Sequence, residues 1–93
     1  MIKSFRNAAA EAAWQRRFIK GVPKDIIKVA NRKLTQLYNA RNLDDLHASP
    51  GNRLEALVRG RKGPHSIRIN DLWRVCFRWR AGDAYDVKIV DCH

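Results

Sequence analysis

Two cysteines, three prolines and five glycines in 93 residues leave little material for a disulfide scaffold or a collagen-like repeat. Cys76 and Cys92 show no spacing of a zinc site. Both thiols are expected to be reduced in a cytosolic chain, with a bridge between them left open. No apolar run approaches the roughly 20 residues of a spanning helix, so no membrane role is expected. The opening Met1-Ile2-Lys3-Ser4-Phe5 lacks the apolar stretch of a signal peptide. Carboxylate clusters that would seat magnesium are missing, as are thiolate and imidazole sets for zinc, and no cofactor is expected. Acidic residues are scarce too: nine Asp and Glu stand against nineteen Lys and Arg, a net charge of +10. On so small a surface that imbalance favours polyanions such as RNA, DNA or anionic lipid.

The hydrophobic fraction of 45% suffices for one core, and the length allows one domain over residues 1–93. The patterning predicts an α+β fold, with N-terminal helices packed on one face of an antiparallel-rich sheet. Residues 1–5 alternate weakly and could join that sheet. Asn7 is a plausible N-cap for a helix that runs to just before Gly21, with Trp14 and Phe18 marking its buried face. Arg16, Arg17 and Lys20 would then lie toward its negative end. After the Gly21-Val22-Pro23 break, Ile26, Ile27, Ala30, Leu34, Leu37 and Tyr38 follow helical spacing to about Ala40. Lys24, Lys28, Arg32 and Lys33 read as that helix's solvated side. A short turn at 43–46 and the Ser49-Pro50-Gly51-Asn52 cluster precede strands over 53–58, 65–70, 73–80 and 85–91.

Eight basic residues and two acidic ones lie between positions 53 and 80. Strand alternation sets Ile67, Ile69, Trp73, Val75, Phe77 and Trp79 on one face. Arg68, Arg74 and Arg78 fall on the other. Like charges on neighbouring strands repel, and the planar guanidinium fork suits phosphate. These arginines bind an anion, pair with Asp71, Asp83, Asp86 or Glu55, or simply splay into water. Arg59, Arg61 and Lys62 could extend the same groove. In the final stretch, Asp91 and His93 share strand parity, and a histidine there can move protons near neutral pH.

The stretches Pro50-Gly51-Asn52-Arg53-Leu54-Glu55-Ala56-Leu57, Ser66-Ile67-Arg68-Ile69-Asn70-Asp71 and Arg74-Val75-Cys76-Phe77-Arg78-Trp79 resemble HigB-type toxins of bacterial toxin–antitoxin modules. The closing Val87-Lys88-Ile89-Val90-Asp91-Cys92-His93 is similar to their last strand. The resemblance implies a RelE-superfamily fold and a ribosome-dependent endoribonuclease that cuts messenger RNA in the A site. It also implies a helix-turn-helix antitoxin of HigA type, with operator DNA contacted only through the toxin–antitoxin complex. Arg74 matches the family's scissile-phosphate arginine. Asp91 and His93 match the first and third residues of its closing triplet, which makes His93 the candidate for proton transfer and Asp91 its orienting partner.

Three positions depart from the family pattern. Cys92 replaces a tyrosine at the RNA site and cannot stack on a base. Val58 stands where many relatives carry lysine, so Arg59 or Lys62 would substitute. Glu55 stands where some members place a functional histidine. These departures motivate an alternative, a basic RNA- or ribosome-binding module that acts by occlusion without cutting.

Overall fold

The computed structural model describes residues 1–57 and 63–91. Helix α1 (Ala8–Trp14) and helix α2 (Lys24–Asn39) lie on one face of a four-stranded sheet. Its strands are β1 (Glu55–Ala56), β2 (Pro64–Arg68), β3 (Trp73–Arg80) and β4 (Asp83–Asp91). They run in the order β1-β2-β3-β4, and every neighbouring pair is antiparallel. The expected architecture is therefore the observed one. Residues 1–5 add to the outer edge of β4 through parallel bridges, Ile2 to Ala84 and Phe5 to Val87.

Asn7 caps α1 as its sequence position predicts, its Oδ1 accepting from the Ala10 N–H at 3.0 Å. The same side chain reaches β4: Nδ2 donates to the Ile89 carbonyl at 2.8 Å, and Oδ1 accepts from the Ile89 N–H at 3.3 Å. One amide thus fixes the start of the helix against the last strand.

The helix stops at Trp14, well short of Gly21. Arg16 takes a left-handed conformation (φ 57°), the Arg17 N–H donates to the Ala12 carbonyl and the Arg16 N–H to Ala13. These are the crossed bonds of a Schellman stop, a position usually held by glycine. The expected Trp14–Phe18 face consequently does not exist. Trp14 packs against Phe5 and stacks on Tyr38, whereas Phe18 is 48% exposed beneath the Lys24 ammonium. Arg16, Arg17 and Lys20 lie beyond the helix.

Helix α2 buries Ile26, Ile27, Ala30, Leu34 and Leu37, as the spacing predicts. It also buries Lys33, which the charge pattern assigned to the solvated side. Lys33 falls three residues after Ala30, within the apolar stripe, and its Nζ donates to Asn52 Oδ1 at 2.5 Å. Asn52, itself fully buried, donates from Nδ2 to Gln36 Oε1 and the Leu46 carbonyl. The hydrogen bonds give this polar cluster partners inside the core. Ahead of it, a 3-10 segment (Leu43–Ala48) opens on a capping box of Asn42 and Asp45.

The first strand is shorter than the expected 53–58. Arg53 ends a second 3-10 turn (Pro50–Asn52) with φ 43°, and among the described residues β1 pairs with β2 through Glu55 and Ala56. Between β2 and β3, Asn70 Oδ1 accepts from the backbone N–H groups of Leu72 and Trp73, closing the turn. The β3–β4 hairpin turns on Ala81 and Gly82, both at positive φ, as a two-residue turn of the primed kind requires. A Cβ at Gly82 would stand 3.2 Å from the Arg41 carbonyl oxygen.

Strand β4 begins at Asp83, two residues before the expected start, and contains a bulge. Cys76 pairs with Lys88 and Arg78 with Tyr85, so two residues of β4 oppose Phe77; Asp86 takes φ 52°. The extra residue lets Ala84, Val87 and Ile89 all face the core, joining Ile67, Val75 and Phe77.

Candidate functional site

The face of the sheet away from the helices carries the arginines. Register places Arg68 directly opposite Arg74, and Ser66 opposite Cys76, with Lys88 beyond it. Pro64 faces Arg78, which faces Tyr85. Directly paired residues share a face, so Arg68, Arg74 and Arg78 stand on the same side, as alternation predicts.

Each arginine meets a carboxylate. Arg68 Nη2 pairs with Asp71, Arg74 Nη1 lies 3.6 Å from Glu55 Oε2, and Arg78 Nε lies 4.0 Å from Asp86 Oδ2. Arg74 Nη1 also donates to the buried Ser66 hydroxyl at 3.5 Å. Asp83, the fourth acid considered, pairs instead with the N-terminal amine.

The pairs are lopsided. The Arg68 and Arg74 side chains are 26% and 25% exposed, against 90% and 55% for Asp71 and Glu55. The cations are held by packing while their counter-ions sit in water, where an ion pair contributes little. An anion brought to this face would meet guanidinium groups already held by packing and counter-ions that are weakly bound. Asp71 remains ionised below the usual carboxylate range because Arg68 donates a hydrogen bond to it and adds its charge. Lys33 has its pKa lowered, first by burial and then by the positive charges of Arg32 and Arg68.

Asp91 pairs with Trp73, and Val90 with Arg74. The register thus places Asp91 at the exposed end of β4, on the parity of the helix-packed face, away from the arginine row. Arg59, Arg61, Lys62, Cys92 and His93 lie outside the described residues, as does the Val58 departure. Cys76 is buried, and any pairing with Cys92 lies outside the described residues too.

Two cations on the arginine side were not singled out from sequence. Lys88 and Arg6 line a pocket of about 160 Å³ with Leu57, Cys76, Arg78 and Asp86. Lys88 was legible, since it alternates with Val87 and Ile89. Arg6 was not, because its place depends on the parallel bridge at Phe5. A separate cavity of about 360 Å³ contains His47, His65 and Trp79. His65 is structural there: its Nδ1 lies 2.9 Å from the Gly63 carbonyl, which can only accept, and its ring stacks on Phe77. No helix among the described residues is long and apolar enough to cross a membrane.

Comparison with known proteins places the chain in a family. The family described as the RelE-like toxin of type II toxin–antitoxin system HigB matches residues 3–93. The endoribonuclease HigB of Proteus vulgaris is 29% identical over 93 residues, covering all of both chains. The toxin HigB-1 of Vibrio cholerae serotype O1 is 41% identical over 63 residues, 68% of this chain and 66% of that one. An uncharacterised protein of Haemophilus influenzae is 33% identical over 58 residues, 62% of this chain and 57% of its own length.

Proposed function

The chain belongs to the HigB-like, RelE-type toxins of type II toxin–antitoxin systems, and from that premise we propose that it is a ribosome-dependent endoribonuclease that cuts messenger RNA in the A site. The observation that carries this reading is the direct pairing of Arg68 and Arg74 on the open sheet face, each anchored by packing.

The chemistry suited to such a face is attack by the neighbouring ribose 2′-hydroxyl. The 2′-oxygen bonds to phosphorus as a base removes its proton, and the bond from phosphorus to the 5′-oxygen breaks as that oxygen takes a proton. The products are a 2′,3′-cyclic phosphate and a free 5′-hydroxyl. Charge builds on the nonbridging oxygens, where preorganised donors stabilise the transition state most. Arg74, steadied by Ser66, and Arg68 supply those donors through charge-assisted bonds. Proton transfer falls to His93 on the family likeness. The ribosome would hold the message in line, an alignment that supplies a large share of the rate. A HigA-type antitoxin would restrain the toxin.

The test is brief induction in growing cells, with 5′ ends of messages mapped afterwards. New ends within translated regions, lost in Arg74→Ala and His93→Ala proteins that melt like the parent, are expected. Growth arrest in all three without new ends would establish the alternative, occlusion by binding alone.

A further inference from the structure

At the far end of the arginine row, the hairpin carries a flat surface that the phosphate chemistry does not use. The Arg80 guanidinium lies over the Tyr85 ring, 4.8 Å from its centroid. Arg78 pairs with Tyr85 and shares strand parity with Arg80, so all three project on the face that holds Arg74. They line a cavity of about 360 Å³ with Trp79 and Asp86. The β4 bulge helps to build it. Asp86 is turned outward in its left-handed conformation, held by its N–H bond to the Ser4 hydroxyl at 2.9 Å and set 4.0 Å from Arg78.

We propose that the Tyr85–Arg80 stack is a nucleobase subsite, taking an unpaired base that flanks the scissile phosphate. This rests on the reading of the arginine face as the RNA surface. Along β3, Tyr85's partner Arg78 lies four residues from Arg74 and Arg80 lies six, about 13 and 20 Å at strand spacing, so the stack serves a nucleotide beyond the one cut. An aromatic ring and a guanidinium plane are the two surfaces on which proteins stack splayed bases. A phosphate site would require only the charge of Arg80. A base site requires its plane and that of Tyr85 as well. Cys92 cannot stack, so the hairpin supplies a stacking surface elsewhere on the chain.

The experiment compares binding of a fluorescein-labelled single-stranded oligouridylate with binding of an abasic ribose-phosphate chain of the same length. The parent protein should prefer the oligouridylate by about 5- to 100-fold, the range of a base–aromatic stack. Tyr85→Leu and Arg80→Lys should abolish that preference while leaving affinity for the abasic chain unchanged, and Tyr85→Phe should retain it. Arg74→Ala should weaken both ligands alike. A parent protein without preference, or a preference that survives Tyr85→Leu and Arg80→Lys, would overturn the subsite. If Arg74→Ala leaves both ligands equally well bound, the RNA reading of the whole face fails instead.

Discussion

Arg68 and Arg74 are direct partners across β2 and β3, two cations seated where antiparallel strands ordinarily place opposite charges. Their repulsion is relieved at the outer side, by Asp71 for one and by Glu55 for the other. A phosphate lying between them would relieve both at once, through charge-assisted bonds from each guanidinium. On the proposed reading, Asp71 and Glu55 occupy the place that the RNA phosphate would take.

Glu55→Gln should strengthen RNA binding. Glu55 competes for Arg74 at 3.6 Å from a half-exposed position. Removing an exposed pair of this kind is worth up to about 1 kcal/mol, or roughly five-fold in affinity. Filter binding would measure it. Weaker binding by the variant would show that the carboxylate serves the RNA directly.

Lys33→Met should alter how stability depends on pH. Burial holds the Lys33 pKa below its ordinary 10.5 in the folded protein. At pH values below the folded pKa both states carry the proton, and the full cost of the buried charge is felt. Between the folded and unfolded values the unfolded chain binds more protons, so parent stability gains with rising pH. The methionine variant lacks that gain. Urea midpoints at pH 7 and pH 10 should show the parent improving relative to the variant. Parallel pH profiles would contradict the assignment.

Asn7→Ala should destabilise the fold by about 2 kcal/mol, combining a lost helix cap with lost bonds to Ile89. In a domain of this size that lowers the melting temperature by roughly 8–16 °C. Asn7→Asp retains the acceptor but loses the donor to the Ile89 carbonyl, and should fall between the two in a calorimetric scan.

Cleavage should survive metal stripping. Protein dialysed against EDTA, then added to programmed ribosomes at their usual magnesium level, is expected to cut at the parent rate. The guanidinium groups carry the charge stabilisation assigned to them. Activity that returns only with added zinc or manganese would require a metal site.

The arginine face was legible because period-two alternation is indifferent to what the strand packs against. Arg68, Arg74 and Arg78 followed from parity alone. The bulge at Asp86 was not legible, since an inserted residue leaves composition unchanged and only the register reveals it. Parity also could not show that Asp91 belongs with Trp73, because that depends on which residues pair across β3 and β4. Helix α1 was drawn too long because Arg16 occupies a left-handed stop usually signalled by glycine. Lys33 was placed outside because its charge outweighed its position in the stripe, and its partner Asn52 lies nineteen residues away.

The Asn7–Ile89 bonds also make the first helix depend on the last strand. The two residues are 82 positions apart, so the amide waits for its partner until nearly the whole strand order exists, and long-range closure of this kind is slow. A chain without β4 would lack both the clamp on its first helix and the strand that sets Tyr85 beside Arg78.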